Sequence, residues 1–425
     1  MPSGWRQAFD GAGALAKDAH MEMLSVTVNG EEHSVQYDTA QPQMLVDFLR
    51  RDANLPGTKV GCSAGGCGAC TVMLTEPSAA DGEPSHRPVL ACLTPLALAH
   101  NCHITTIEGV AHGAEGNGAT ETGGETTVHP IQRQFSEGHA SQCGYCTPGQ
   151  IMSLYALLSR KPDGATTRDI EEALAGNLCR CTGYRTILNA AKSFACDRDE
   201  VANALQGLCG AGAARVASAG CGAGAVGQLD VAGGWYAPQE LTALCVAKLR
   251  HPSATIVAGG TAVGLQLNGW RGPKDGAGRR AAAAVPPTHL LSTAGIPELH
   301  ACEILTDSGA ALAGEFDDSA DGVAGSELLH VPGRRALRIG AAATLKEIEE
   351  VVAPHAASSS SITALLDAIH NFGWGGAQLR ASASLGGSVV FAPTYSNFVP
   401  LLCALVRVPS TQTVMQHPHS RIQPL

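Results

Sequence analysis

Three cysteines in one short loop, with a fourth downstream, constrain this chain more than any other feature of its sequence. In residues 61–71, GCSAGGCGACT, Cys62, Cys67 and Cys70 stand in a C-x4-C-x2-C spacing, and Cys92 follows after twenty-one intervening residues. That is the ligand arithmetic of a plant-type [2Fe–2S] centre. Three thiolates of one loop converge on a point only if the backbone turns sharply. Gly61, Gly65, Gly66 and Gly68 allow it, because residues without a Cβ take positive φ and can aim N–H groups at sulfur. A structural zinc loop or a disulfide pair draws on the same residue type, although zinc knuckles usually present two C-x2-4-C pairs.

A second set lies further on. Cys143 and Cys146 form a C-x2-C pair directly before Thr147, and Cys179 and Cys181 form a C-x-C pair after thirty-two further residues. Both pairs precede predicted helices, whose unpaired N–H groups and positive dipole ends stabilise thiolates. We read a second [2Fe–2S] centre. A thioredoxin-like redox pair would need a strand–CxxC–helix unit inside a βαβ pattern, which is missing. Four thiolates also suit zinc, and on this segment alone that alternative stays open.

At 425 residues the chain is long enough for two or three domains. Its net charge of −10 is spread thinly with no basic block, which argues against nucleic acid and acidic membranes as partners. Of fifteen cysteines, eight fall in the two clusters; Cys102, Cys196, Cys209, Cys221, Cys245, Cys302 and Cys403 stand singly. That is not a disulfide framework, and it points to a reducing, cytoplasmic setting. No apolar run is long enough to span a bilayer, and the Gly/Ala-rich residues 1–22 read as a disordered leader.

From Leu24 the pattern sharpens. Leu24, Val26 and Val28 alternate with polar residues, Asn29-Gly30 predicts a type I′ turn, and Val35 and Tyr37 continue the alternation. Met44, Leu45, Phe48 and Leu49 recur at helical spacing, and 70–74 and 103–107 read as strands. Together these elements predict an α+β sheet of the ubiquitin-like kind over 23–110. Residues 111–127 carry no apolar side chain larger than alanine and read as a linker.

Over 128–200 four helices are predicted. The first opens at His129-Pro130 and stops at Gly138. The second opens at Thr147-Pro148-Gly149-Gln150, with Thr147 as N-cap, Pro148 in the first turn and Gln150 reaching back. Its buried stripe is Ile151, Leu154, Tyr155 and Leu158. The third covers 167–175 and the fourth 184–194.

Residues 201–234 are a second Ala/Gly-rich linker. From 235 to 408 the composition changes: Leu241, Leu244, Cys245 and Leu249 mark a helix face, and a strand over 254–258 leads into Gly259-Gly260-Thr261. A strand delivering a Gly-Gly-Thr turn to a helix is a candidate diphosphate cradle, although taken alone, in so glycine-rich a chain, a tight structural turn is the better explanation. A second turn, Ser384-Leu385-Gly386-Gly387-Ser388, resembles it.

The segments GCSAGGCGAC, SQCGYCTPG and NLCRCTGYR together resemble the molybdenum hydroxylases, most closely their xanthine dehydrogenase and aldehyde oxidase branch. The resemblance is dense over about residues 24–195. It implies an α+β multidomain chain: a β-grasp, plant-type ferredoxin-like domain, a four-helix [2Fe–2S] domain and a partial α+β FAD-binding domain of the PCMH type. It implies Cys62, Cys67, Cys70 and Cys92 as ligands of one cluster, Cys143, Cys146, Cys179 and Cys181 as ligands of the other, and so iron over zinc. Gln142 corresponds to the residue that approaches the pterin of the molybdenum cofactor.

From 235 to about 405 the match is looser. Ile256, Val257, Ala258, Gly259, Gly260, Thr261, Ala262 and Val263 are similar to the family's FAD diphosphate loop, Trp374 stands where an aromatic packs near the flavin, and Ser384, Gly386 and Gly387 resemble its second FAD-contacting turn. Ser388 replaces a usual Asn and Asn397 a usual Asp, and polar insertions fall at about 271–284 and 309–330. The molybdenum domains are absent from the sequence, and the tail 409–425 no longer matches. We expect a piece of a longer enzyme, or else a chain working beside a molybdenum-bearing subunit, homodimeric in the complete enzyme. The expected function is electron transfer from molybdenum through two [2Fe–2S] clusters to FAD and then NAD+ or oxygen. No residue is expected to act as a general acid, base or nucleophile on substrate. The rival expectation is a non-catalytic, zinc-bearing cysteine-rich interaction module.

Overall fold

The computed structural model describes residues 23–36, 43–76, 84–112, 128–197, 235–268, 289–305, 336–371, 376–391 and 398–405. Tyr37, Trp374 and Asn397 lie outside these, as do the leader, the tail, nearly all of both linkers and the two insertions.

The predicted hairpin forms from β1 (Met23–Val28) and β2 (Glu31–Gln36), in antiparallel register from Met23 opposite Gln36 to Val28 opposite Glu31. Asn29 and Gly30 have φ of +51° and +89°, as a type I′ turn requires at both central positions. Leu24, Val26 and Val28 are buried, and so are Met44, Leu45, Phe48 and Leu49, where α1 (Leu45–Asp47) runs into a π turn at Phe48–Asp52. Next come β3 (Thr71–Glu76), β4 (Ser85–Leu90) and β5 (His103–Thr105). The strands form one mixed sheet of order β2-β1-β5-β3-β4, with β5 parallel to β1 and antiparallel to β3. β4 escapes sequence reading because Pro88, Val89 and Leu90 are buried in succession rather than alternately. The strand predicted over 103–107 stops at Thr105, because the Asn29 side chain takes the Thr106 N–H at 2.9 Å and α2 (Ile107–His112) begins.

Four helices follow: α3 (Pro130–Glu137), α4 (Thr147–Arg160), α5 (Thr167–Leu174) and α6 (Arg185–Lys192). The α3 cap is the buried His129, whose Nδ1 accepts the Ile131 N–H. The α4 start differs from expectation. Cys146 is the N-cap, its carbonyl accepts the Gln150 N–H, and the Thr147 hydroxyl donates to Ser141 Oγ instead of capping. Gln150 is buried and does not reach back, so no capping box forms there; one does at Thr166 and Asp169 before α5. β3 is buried on both faces: Val72 and Leu74 join the core of the first sheet, and Met73 joins that of the helices.

The remainder contains β6 (Trp235–Tyr236), α7 (Leu241–Arg250), β7 (Thr255–Val257), α8 (Thr261–Leu267), β8 (Leu290–Ser292), α9 (Pro297–His300), β9 (Cys302–Leu305), β10 (Ala336–Ile339), α10 (Leu345–Val352), α11 (Ser360–His370), α12 (Gly376–Arg380), α13 (Leu385–Phe391) and α14 (Phe398–Leu405). β6, β8 and β7 form a parallel sheet, and β9 pairs with β10 antiparallel. The stripe predicted on α7 is a miss. Leu244 is buried, whereas Leu241 and Leu249 are 41% and 52% exposed and Cys245 is also exposed. The helix packs through Leu244 and Ala247 against Leu291 and Ile296, one edge of the stripe rather than its centre. Among the described residues no helix is long and apolar enough to cross a membrane.

Candidate metal centres

Strand register delivers the first cysteine quartet. Cys70 immediately precedes β3 and Cys92 is the second residue after β4; Thr71 pairs with Leu90 and the Ala91 N–H bonds the Cys70 carbonyl at 3.2 Å, which sets the two cysteines side by side. The other two lie in the preceding loop, folded back by positive φ at Ser63, Gly65 and Gly68. Cys62 Sγ accepts N–H groups from Ala64 and Gly66 at 3.4 and 3.3 Å. The sulfurs associate as Cys62 with Cys67 and Cys70 with Cys92. A hydrogen bond from Cys67, helped by the loop N–H groups, pulls the Cys62 thiol down to about 5, and Cys67 is held up in return. In the same way Cys92 is lowered by its bond with Cys70, and Cys70 is raised.

The second quartet pairs Cys143 with Cys181 and Cys146 with Cys179. Cys143 is lowered by the Tyr145 backbone N–H and then by Cys181, which is raised. Cys146, at the start of α4, is pushed up to about 12 by burial and by its bond with Cys179. For Cys179 burial acts upward, but the hydroxyl and backbone N–H of Thr182 outweigh it and the thiol is lowered. Cys143 and Cys181 are exposed, as is Gln142 beside them.

Each quartet is therefore two pairs, and among the described residues no three cysteine sulfurs lie within 4.8 Å of one another. One tetrahedral zinc at about 2.3 Å from each sulfur would hold all four about 3.8 Å apart. Two pairs fit a two-iron cluster, in which each iron takes two thiolates.

Comparison with known proteins places one quartet in each of two domains. A 2Fe-2S iron-sulfur cluster binding domain matches residues 26–97, and a [2Fe-2S] binding domain matches 106–192. Aldehyde oxidase 1 of Cavia porcellus is 33% identical over 423 residues, 88% of this chain and 27% of that protein. Xanthine dehydrogenase of Drosophila subobscura is 30% identical over 408 residues, 85% of this chain and 26% of that protein. The chain belongs to the molybdenum hydroxylases, in the xanthine dehydrogenase and aldehyde oxidase branch. It spans about a quarter of the length of these curated relatives, which are oxidoreductases by name. A chain in the crystal structure of quinoline 2-oxidoreductase from Pseudomonas putida 86 shares 32% identity, covering 43% of this chain and 94% of that one, with a TM-score of 0.32.

In this molybdenum hydroxylase chain the first predicted flavin turn meets the segment that leads into the second. A β-carbon on Gly259 would lie 1.3 Å from the Ser382 carbonyl oxygen, so that glycine makes room for the backbone just before the second turn. Gly264 likewise lets α8 lie on Leu93, and Asn268 beyond it donates to the carbonyls of Ser63 and Cys92 at 3.0 and 2.7 Å. Of the first turn, Val257, Gly260 and Val263 are buried, Ile256 is half exposed, and Ala258 and Gly259 border a cavity of 410 Å³. Leu24 of β1, Arg87 of β4 and His100, before β5, also line that cavity. No residue of the second turn lines it, although Ala381 and Ser382 just before that turn do. Ser384 is buried with its Oγ accepting the Gly387 N–H, Gly386 N–H bonds the Ala341 carbonyl, and the Ser388 hydroxyl donates to the Ser384 carbonyl. Of the first turn, then, only Ala258 and Gly259 face the cavity, and the polar groups of the second are engaged within the protein.

Sequence reading missed Asn177, Gln378 and Asn268. Their partners lie 109, 225 and 205 residues away, and no local pattern marks them.

Proposed function

We propose that this chain is the electron-transfer portion of a xanthine dehydrogenase- or aldehyde oxidase-like molybdenum hydroxylase. The observation that carries the reading is the division of eight cysteines into two quartets, each split into two pairs. Cys62, Cys67, Cys70 and Cys92 would hold one [2Fe–2S] cluster in a β-grasp domain, and Cys143, Cys146, Cys179 and Cys181 the other in a four-helix domain. With FAD in the cavity beside Ala258 and Gly259 of a PCMH-type domain, these groups would carry electrons from a molybdenum centre on other domains or a separate subunit to NAD+ or oxygen.

The chain's own residues set the directions of approach. Cys143, Cys181 and Gln142 are at the surface, with Tyr145 and Leu178 about half exposed beside them, which leaves this quartet open to a molybdenum-bearing domain. The first quartet instead meets α8, where Asn268 bonds the carbonyls of Ser63 and Cys92. The Tyr145 hydroxyl donates to the Val60 carbonyl at 2.7 Å and ties the two cysteine loops together. Glycine turns and backbone N–H groups around sulfur limit water and tune potential. Cysteines left free of disulfides accord with a reducing, cytoplasmic setting.

The test is the visible spectrum and metal content of the purified chain. Bands beyond the flavin range that dithionite bleaches, with about four irons per chain, are expected. A colourless protein with stoichiometric zinc would overturn the reading, and flavin release on denaturation tests the FAD assignment separately.

A further inference from the structure

We propose that Asn177 is a positioning residue that clamps the loop of one quartet to the loop of the other, and that Gln378 locks the clamp from α12. The proposal rests on the electron-transfer reading above.

Asn177 lies two residues before Cys179 and is 3% exposed. Its Nδ2 donates to the Gly68 carbonyl at 2.9 Å, between Cys67 and Cys70. The next residue, Leu178, donates its N–H to the Cys67 carbonyl at 2.9 Å. A cysteine of the first quartet is therefore one hydrogen bond away from the residue preceding a cysteine of the second. On the other side, Asn177 Oδ1 accepts from Gln378 Nε2 at 2.9 Å and lies 2.8 Å from Ser153 Oγ. Gln378 is fully buried, and its Nε2 also reaches Ser153 Oγ at 2.7 Å and the Ala173 carbonyl at 3.0 Å. The carbonyls of Gly68 and Ala173 can only accept, which fixes the orientation of both amides.

Small residues make the approach possible. A β-carbon on Gly68 would lie 2.4 Å from the Gly176 carbonyl, one on Gly149 2.4 Å from the Gly68 carbonyl, and one on Gly376 2.3 Å from the Gly176 nitrogen. Backbones of the first loop, the helices and α12 thus touch at one point between the quartets. The network is buried and the amide nitrogens of Asn177 and Gln378 point at fixed acceptors, so it has one arrangement. Electron exchange falls off exponentially with distance, so fixing two carriers in one relation sets its rate. In that exchange one electron leaves one centre and enters the other, and no bond is made or broken.

The experiment uses the full chain, purified with its iron, as parent, Asn177→Ala and Gln378→Ala. Gln378 bonds Asn177, Ser153 and the Ala173 carbonyl and no cysteine, so Gln378→Ala should retain the iron of the parent, which is measured beside the spectra. The magnetic splitting between the two dithionite-reduced centres should be lost or reduced in both variants while both signals persist. Hydrogen exchange at the Leu178 amide should quicken by about tenfold or more in Gln378→Ala. Unchanged splitting and unchanged exchange in Gln378→Ala would overturn the clamp. A parent chain without two paramagnetic signals would instead overturn the electron-transfer reading beneath it.

Discussion

Gly68 has φ of +65° and no space for a β-carbon, since the Gly176 carbonyl would stand 2.4 Å from it. Gly68→Ala should lower stability by at least about 1–2 kcal/mol from the left-handed backbone alone, read as a fall in thermal midpoint, with loss of iron from the first quartet. The cysteines respond differently, because each belongs to one pair of one quartet. Cys67→Ser and Cys143→Ser should each take iron from about four to about two per chain and abolish a different one of two paramagnetic signals. An unchanged iron content in either variant would contradict the assignment. Cysteine spacing is legible in a sequence because the loop that gathers three sulfurs is local. The amides of Asn177 and Gln378 are not, because a buried amide takes its meaning from partners folded in from elsewhere.

Elements were legible where one face is buried and the period is clean. The β1–β2 hairpin has both alternation and an Asn-Gly turn, and it forms as read. β4 has neither, and α7 shows an apolar stripe of which only one edge meets the core. The start of α4 was misplaced by one residue, since Thr147 looks like a cap and yet Cys146 takes that position, putting its sulfur at the helix entrance. The flavin turns show the limit most plainly: a Gly-Gly pair reads as a phosphate cradle, while here Gly259 and Gly264 admit neighbouring backbone. Gly264→Ala would set a β-carbon 2.2 Å from the Leu93 carbonyl oxygen. It should pry α8 from the first quartet's domain, seen as faster proteolysis after β7 and easier flavin release, with iron content unchanged.

Across the whole molecule, the helices carrying the second quartet meet α10 to α12 through charge as well as through Gln378. Arg160 on α4 pairs with Glu350, and Glu172 on α5 faces the buried Glu349, which lies among Lys346, His370 and Arg380 at 3.1, 3.3 and 3.7 Å. Burial pushes Glu349 up, yet Lys346, Arg380 and His370 outweigh it and hold the carboxyl below its ordinary value. A lowered carboxyl stabilises the fold above the ordinary carboxylate range and loses that contribution as pH falls through the folded value. The thermal midpoint should therefore drop on acidification below about pH 4.5, and Glu349→Gln should flatten that drop. The central claim concerns the two quartets themselves, and spin quantitation of the dithionite-reduced chain tests it most directly. We expect about two unpaired spins per chain in two distinguishable [2Fe–2S] signals. A chain that shows no such signal and carries zinc in its cysteines would contradict the account.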